Sequence, residues 1–81
     1  MQIIVTLKVN QNGRELEYDI QVDQKQRIRS SLEIIFKSFK IQKELDQIHF
    51  IRSNKNRRWI SINDTFLQGE IYTGDILEIT E

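Results

Sequence analysis

Residues 3–22 read IIVTLKVNQNGRELEYDIQV, with apolar side chains at every second position on both sides of a short polar interruption. The alternating apolar residues are Ile3, Val5, Leu7 and Val9, and then Leu16, Tyr18, Ile20 and Val22. A period of two is typical of a strand with one buried face. The interruption, residues 10–13, contains the asparagine and glycine that a tight turn with positive φ requires. This segment therefore predicts a β-hairpin.

The apolar period changes after the hairpin. Apolar residues now occur at spacings of 0, 4, 7, 8 and 11, namely Ile28, Leu32, Ile35, Phe36 and Phe39. This spacing places them on one face of an α-helix, predicted for about residues 25–40. Asp23 is positioned to cap the start of the helix, and Ile41 is expected to pack against the core just after its end.

Three further strands are predicted beyond the helix, at residues 47–52, 58–61 and 76–80, with polar turns between them. The order β-β-α-β-β-β predicts an α+β fold in which one helix packs on one face of a mixed sheet. With 81 residues, the chain is expected to form a single domain over 1–81. The second face of the sheet is left for solvent or for a partner.

The composition argues against catalysis. The chain has no cysteine, one histidine and three glycines, so neither a metal site nor a phosphate-binding loop is predicted. No serine lies in a G-x-S-x-G motif. We therefore expect no enzyme activity, no metal and no cofactor. The longest uninterrupted apolar run has three residues, so direct insertion into a membrane is not expected.

Charge is distributed unevenly although twelve basic residues balance twelve acidic ones. Residues 24–58 hold ten Lys or Arg against three Asp or Glu, whereas residues 59–81 hold five acids and no Lys or Arg. The densest basic run is Arg52, Lys55, Arg57 and Arg58, around the predicted turn between the third and fourth strands. This run is either a solvated hairpin tip or a patch that binds anionic groups. Phe50 and Trp59 could add base stacking, but a pI of about 6.6 disfavours a dedicated nucleic-acid binder.

The facing of the third and fourth strands defines a candidate binding patch. If Ile48, Phe50 and Ile60 face the helix, three residues face outward beside Ile4 and Thr6: His49, Ile51 and Trp59. Arg52, Arg57 and Arg58 would form a basic rim. Apolar patches rimmed by charge tend to be binding sites, and tryptophan is a frequent hot spot. Two alternatives stay open: His49 as a plain exposed strand residue, and Trp59 as a residue of the core. A register slip of one residue would reverse every facing.

The segment Asp64-Thr65-Phe66-Leu67-Gln68-Gly69-Glu70-Ile71, followed by Gly74-Asp75-Ile76-Leu77-Glu78-Ile79, resembles the final part of ubiquitin and its relatives. In that family a threonine starts a short turn, an apolar residue fills the core, and a Gly-Asp or Gly-Ser turn leads into the last strand. The resemblance implies a β-grasp (ubiquitin-like) fold. It places four residues in the core: Phe66, Ile71, Leu77 and Ile79.

Within this fold, the length near 80 residues and the G-D-x-L-x-I ending resemble the small bacterial YukD/EsaB family of type VII secretion systems. That resemblance implies a cytoplasmic accessory protein whose partner is a membrane-anchored component of the secretion machine. Such a protein would be recruited to the inner face of the membrane through this partner, and it would have no catalytic residues.

Conjugated ubiquitin-like modifiers and sulfur carriers require a C-terminal Gly-Gly, but this sequence closes with Ile79-Thr80-Glu81. Our leading interpretation is therefore a non-conjugated protein-interaction module that docks through the patch around His49, Ile51 and Trp59. The alternative is a small nucleic-acid-binding protein that uses the basic 52–58 hairpin. A third option is a structural subunit that adds strands edge to edge in an oligomer.

Overall fold

The computed structural model describes residues 1–79. Its elements follow the predicted order: β1 (Gln2–Gln11), β2 (Arg14–Asp23), α1 (Ile28–Ser38), a 3₁₀ turn (Leu45–Gln47), β3 (Phe50–Ser53), β4 (Arg58–Ser61) and β5 (Ile76–Ile79). Thr80 and Glu81, and with them the predicted end of the last strand, lie outside the described residues.

The predicted hairpin is confirmed. β1 and β2 pair antiparallel along their whole length, from Gln2 opposite Asp23 to Gln11 opposite Arg14. Asn12 and Gly13 have φ values of 55° and 78°, as the tight turn requires. The alternating apolar residues of both strands face the helix.

The five strands form one sheet in the order β2-β1-β5-β3-β4. β1 and β5 pair in parallel, and the other neighbours are antiparallel, so the sheet is mixed as predicted. Helix α1 covers one face. Between this face and the helix lies the core, which includes Phe66, Ile71, Leu77 and Ile79 at the positions that the resemblance implied. β2 and β4 are the two edge strands.

The helix begins three residues later than predicted, at Ile28. Asp23 does not cap it, because its carboxylate accepts a hydrogen bond from the N–H of Lys25 at 2.9 Å. The first helical N–H groups donate instead to main-chain carbonyls of the segment after β4. Ile28 N–H reaches the C=O of Asp64 at 2.9 Å, and Arg29 N–H reaches that of Ile62 at 2.8 Å. These bonds satisfy N–H groups that a helix start leaves without intrahelical partners.

The third strand also begins later than predicted, at Phe50, and this changes its facing. Ile48 follows the 3₁₀ turn and packs into the core, but His49 and Phe50 are both exposed. Two exposed residues follow Ile48, so the buried positions of β3 are shifted by one residue from those that strict alternation after Ile48 predicts. Ile51 is completely buried and pairs with the buried Ile60. The prediction that Ile51 faces outward and Phe50 inward is therefore wrong.

Candidate functional site

The basic turn between β3 and β4 is held in place by a buried carboxylate. Gly74 has φ 95° and leads the chain into Asp75, which is only 1% exposed. The Asp75 carboxylate accepts hydrogen bonds from the hydroxyl of Ser53 and from the N–H of Lys55, the latter at 3.1 Å. It also accepts from the N–H of Ile76 at 2.8 Å. The Gly-Asp pair of the sequence thus fixes the start of β5 and the turn that carries the arginines.

A row of paired side chains crosses the open face of the sheet. Arg52 lies opposite Trp59 on β4 and opposite Glu78 on β5. Glu78 in turn lies opposite Lys8, and Lys8 lies opposite Glu17 on β2. Charges of opposite sign therefore alternate from β2 to β3, and the row ends on the indole at the edge strand.

In the middle of this row, Lys8 is ion-paired with a β2 residue that lies outside the row. Lys8 Nζ lies 3.3 Å from Glu15 Oε1. The hydrogen bond to Glu15 and the charge of Glu15 raise the pKa of the Lys8 ammonium, desolvation opposes them, and the charges of Glu78 and Glu17 raise it further. The middle of the open face is consequently polar, and two large exposed aromatic side chains lie at its β3–β4 end.

At that end, Trp59 is 51% exposed and Phe50 is 53% exposed. Their partners in the ladder are Arg52 and Ser61, so the two aromatic side chains occupy diagonal positions on the same face. The guanidinium carbon of Arg52 lies 5.8 Å from the centroid of the Trp59 ring, within cation–π range. Of the two alternatives for Trp59, the structure shows the exposed one. We call Phe50, Arg52 and Trp59, with Arg57 in the adjoining turn, the Trp59 surface.

The two rim arginines differ in their surroundings. Arg57 is exposed and adopts a left-handed conformation with φ 54°, and its N–H donates to the C=O of Ser53 at 2.8 Å. The guanidinium of Arg58 donates to the C=O of Gly69 at 3.1 Å and pairs with the Glu70 carboxylate at 3.3 Å. Because Arg58 lies opposite the buried Ser53, it points to the side of the sheet away from Trp59 and does not form the rim that the sequence pattern predicted. There it is anchored and partly neutralised.

Other residues of the predicted patch lie elsewhere. Ile51 is in the core. His49 is exposed but precedes β3, and its C=O accepts the N–H of Ile62 at 3.1 Å. Thr6 pairs with Ile76, two positions along the sheet from the row that ends at Trp59, and Ile4 lies still further away. The structure thus brings Trp59 and Arg52 together on one face, with Arg57 in the adjoining turn, whereas Arg58, Ile4 and Thr6 lie apart from them. It adds Phe50, whose exposure the period-two pattern failed to indicate.

Two shallow grooves lie on the helix side of the molecule. One, of about 310 Å³, lies between the end of α1 and the loop after it and is lined by Glu33, Phe36, Lys37, Ile41, Lys43 and Leu45. The other, of about 200 Å³, lies beside β2 and includes Ser31 and Ile34 in its lining. Within residues 1–79, no three His, Cys, Asp or Glu side chains are grouped closely enough to hold a metal ion. None of the described helices is long and apolar enough to cross a membrane.

No protein-family model and no curated protein matches the sequence. Solved structures do match the fold. A de novo designed protein based on ubiquitin superposes with a TM-score of 0.68 at 19% identity, over 98% of this chain and 87% of the designed one. The N-terminal ubiquitin-like domain of the 4931431F19Rik protein gives 0.70 at 15% identity, over 98% and 73%. The ubiquitin-like domain of Plasmodium falciparum Dsk2 gives 0.63 at 13% identity, over 99% and 100%. The chain therefore has the ubiquitin-like β-grasp fold.

Proposed function

We propose that this chain is a non-catalytic interaction module that binds a partner protein non-covalently through the Trp59 surface. The observation that carries the proposal is the half-exposed indole of Trp59, which lies at a sheet edge beside the exposed Phe50 ring. Large exposed aromatic groups lose contact with water when a partner covers them, and a tryptophan rimmed by charge is a frequent hot spot.

Arg52 adds specificity to this surface. Its guanidinium carbon lies over the Trp59 ring, 5.8 Å from the centroid, and Arg52 pairs with Glu78 across the sheet. Part of its charge is therefore balanced within the domain, and its planar group stays available at the rim for a carboxylate of the partner. We expect an apolar partner surface that carries at least one acidic side chain.

We further propose that the partner is a membrane-anchored component of a type VII secretion system and that the chain acts at the cytoplasmic face of the membrane. The support is the resemblance of the Gly74–Ile79 ending to the YukD/EsaB family, together with the shared fold. In this reading the chain acts as an accessory factor and carries out no reaction.

The second candidate function is nucleic-acid binding, and one observation favours it. Phe50 and Trp59 lie exposed next to Arg52, in an arrangement that resembles a stacking platform for unpaired bases. Two features weigh against it. Arg58 is paired with Glu70, and Arg52 faces Glu78, so fewer charges remain for phosphates.

The experiment is affinity capture from detergent-solubilised lysate of the source cells with three baits: wild type, Trp59→Ala and Glu44→Lys. Glu44 is exposed and lies in the loop that precedes the 3₁₀ turn, so its variant controls for a change at an unrelated surface. We expect wild type and Glu44→Lys to retain a secretion component that Trp59→Ala loses. If Trp59→Ala retains it equally well, the proposed surface is wrong.

A salt titration of the captured material separates the two candidates. Phosphate contacts release counterions, so nucleic-acid binding falls steeply with salt concentration, whereas burial of aromatic surface does not. Recovery of nucleic acid that is lost between about 50 and 200 mM salt would favour the second function.

A further inference from the structure

Strand β2 has ten residues and forms one edge of the sheet. Gln24 N–H donates to Met1 C=O at 2.8 Å, so hydrogen-bonded pairs with β1 recur at every second position along β2. The residues between those pairs, which include Glu17, Asp19 and Gln21, direct their N–H and C=O groups away from β1. Within the described part of the chain these outward groups neither donate nor accept a hydrogen bond. The β2 edge is therefore open to an added strand.

Exposed apolar side chains lie beside this edge on the helix side. Ile34 of α1 is 59% exposed and lines the groove of about 200 Å³ together with Gln21 and Val22 of β2. Earlier on β2, Tyr18 stacks on Phe39 with the ring centroids 4.5 Å apart, and Phe39 is 44% exposed. Covering these side chains removes apolar surface from water. The residues that an added strand directs to the helix side should therefore be apolar.

The open face of the same edge is acidic. Glu15, Glu17 and Asp19 are exposed on that face, because the residues between them face the helix. Lys8 is ion-paired with Glu15 at 3.3 Å, but neither Glu17 nor Asp19 forms an ion pair within the described residues. Residues directly opposite each other on neighbouring strands share a face and interact. The residues of an added strand that lie opposite Glu17 and Asp19 should therefore be basic, whichever direction that strand takes.

We propose that the β2 edge binds an extended segment of a partner protein in which basic and apolar residues alternate. Main-chain hydrogen bonds to β2 supply affinity, the apolar residues cover Ile34 and Phe39, and the basic residues meet Glu17 and Asp19. Pairing of two β2 edges would oppose carboxylates, so charge disfavours a second copy of the chain as the occupant. The site lies at the sheet edge opposite to the Trp59 surface, so it goes beyond the proposed function and does not depend on it.

Solution NMR of the isotope-labelled domain tests the proposal with the peptide KVKVKVK, blocked at both ends. Near saturation, the N–H groups of Glu17, Asp19 and Gln21 should exchange with water at least about tenfold more slowly, because only the unbound fraction then exchanges freely. The methyl signals of Ile34 should shift, whereas the indole N–H signal of Trp59 should not. Two control peptides, KKKKVVV without alternation and EVEVEVE with reversed charge, should leave the exchange of the three N–H groups unchanged.

Variants of the domain separate the two faces of the site. Glu17→Lys/Asp19→Lys should bind KVKVKVK at least about tenfold more weakly, because like charges then oppose each other. Ile34→Arg places a charge among the apolar contacts and should weaken binding at least about threefold. Trp59→Ala and Glu44→Lys are the matched controls and should bind as wild type does. The Asp19 carboxylate also accepts a side-chain hydrogen bond at 2.7 Å, so Glu17→Lys alone replaces the double variant if a thermal melt shows impaired folding.

Unchanged exchange of the three β2 N–H groups in the presence of KVKVKVK overturns the proposal. Equal effects of KVKVKVK and KKKKVVV overturn it as well, since charge attraction alone would then explain the binding. Slow exchange of these groups in the free domain that depends on protein concentration would show a second copy at the edge, which is the third contrary outcome. Peptide binding that Trp59→Ala retains, without capture of a secretion component by wild type, would support this inference and remove the proposed partner. Capture without peptide binding would do the reverse.

Discussion

The buried carboxylate of Asp75 accepts the hydroxyl hydrogen of Ser53, a residue that is itself fully buried on β3. The same carboxylate holds the main chain of Lys55 at 3.1 Å. One side chain at the start of β5 thus determines the conformation of the turn that presents the arginines. Hydrogen bonds to a charged group inside a protein are stronger than neutral ones, and their partners are costly to leave unsatisfied.

Asp75→Ala should lower the free energy of unfolding by about 2–4 kcal/mol, because it leaves the Ser53 hydroxyl and the Lys55 N–H without their acceptor. Urea denaturation measures this loss. Asp46→Ala is the control. Its carboxylate pairs with Arg29 at 3.0 Å but is 89% exposed, so we expect a loss below about 1 kcal/mol. Equal losses for the two variants would contradict the role assigned to Asp75.

Ile51 and Phe50 provide a direct test of the register of β3. Ile51→Ala removes a completely buried side chain and should cost about 2–5 kcal/mol of stability. Phe50→Ala truncates a side chain on the open face and should cost less than about 1 kcal/mol. Both values come from denaturation curves of the purified variants. The opposite ranking would restore the facing that the sequence pattern predicted.

The contact between Arg52 and Trp59 should be measurable as a coupling. In a double-mutant cycle with Arg52→Ala and Trp59→Ala, we expect a coupling energy of about 0.5–1 kcal/mol, as for exposed cation–π pairs. Trp59→Ala alone should remain folded, because the indole is half exposed. Thermal or urea unfolding measures the stabilities of wild type, the two single variants and the double variant. A coupling near zero would mean that the guanidinium does not pack on the ring in solution.

The ion pair of Lys8 should make the free energy of unfolding depend on pH. Its pKa is raised in the folded state, chiefly by the hydrogen bond and charge of Glu15. The stabilisation is therefore complete below the pKa of an unfolded lysine, about 10.4, and is lost as pH rises through the higher folded pKa. Titration of the Lys8 side-chain signals by NMR should show a raised midpoint. Glu15→Gln should lower this midpoint, whereas Glu44→Gln should leave it unchanged, because Glu44 is not among the carboxylates that raise the pKa of Lys8.

The hairpin and the helix were predictable because their apolar residues recur with one constant spacing over many positions. The hairpin offers eight alternating apolar positions, and the helix offers five positions on one face, so a single deviation does not change either assignment. β3 has only four residues, and its facing depends on Ile48 and Phe50, which are separated by one exposed histidine. A strand this short cannot be assigned a facing from its own sequence, because the preceding turn sets where the alternation starts.

The candidate surface was predictable only in composition. The sequence indicates that Trp59 and several arginines lie close together, since they are neighbours in the chain. That Arg52 packs along the indole follows from the β3–β4 register. That Arg58 is paired follows from Glu70, a residue twelve positions later in the chain. Likewise, the helix start depends on carbonyls of residues 62 and 64. Such tertiary partners have no local signal in the sequence.

The parallel pairing of β1 with β5 has a consequence for synthesis on the ribosome. Thr6 can meet Ile76 only after nearly the whole chain has been made, so the hairpin and helix emerge first with their apolar faces uncovered. Closing so large a loop costs entropy before any contact is gained, which slows folding relative to proteins with local contacts. Until β5 joins, the main-chain N–H and C=O groups on that side of β1 have no partner strand.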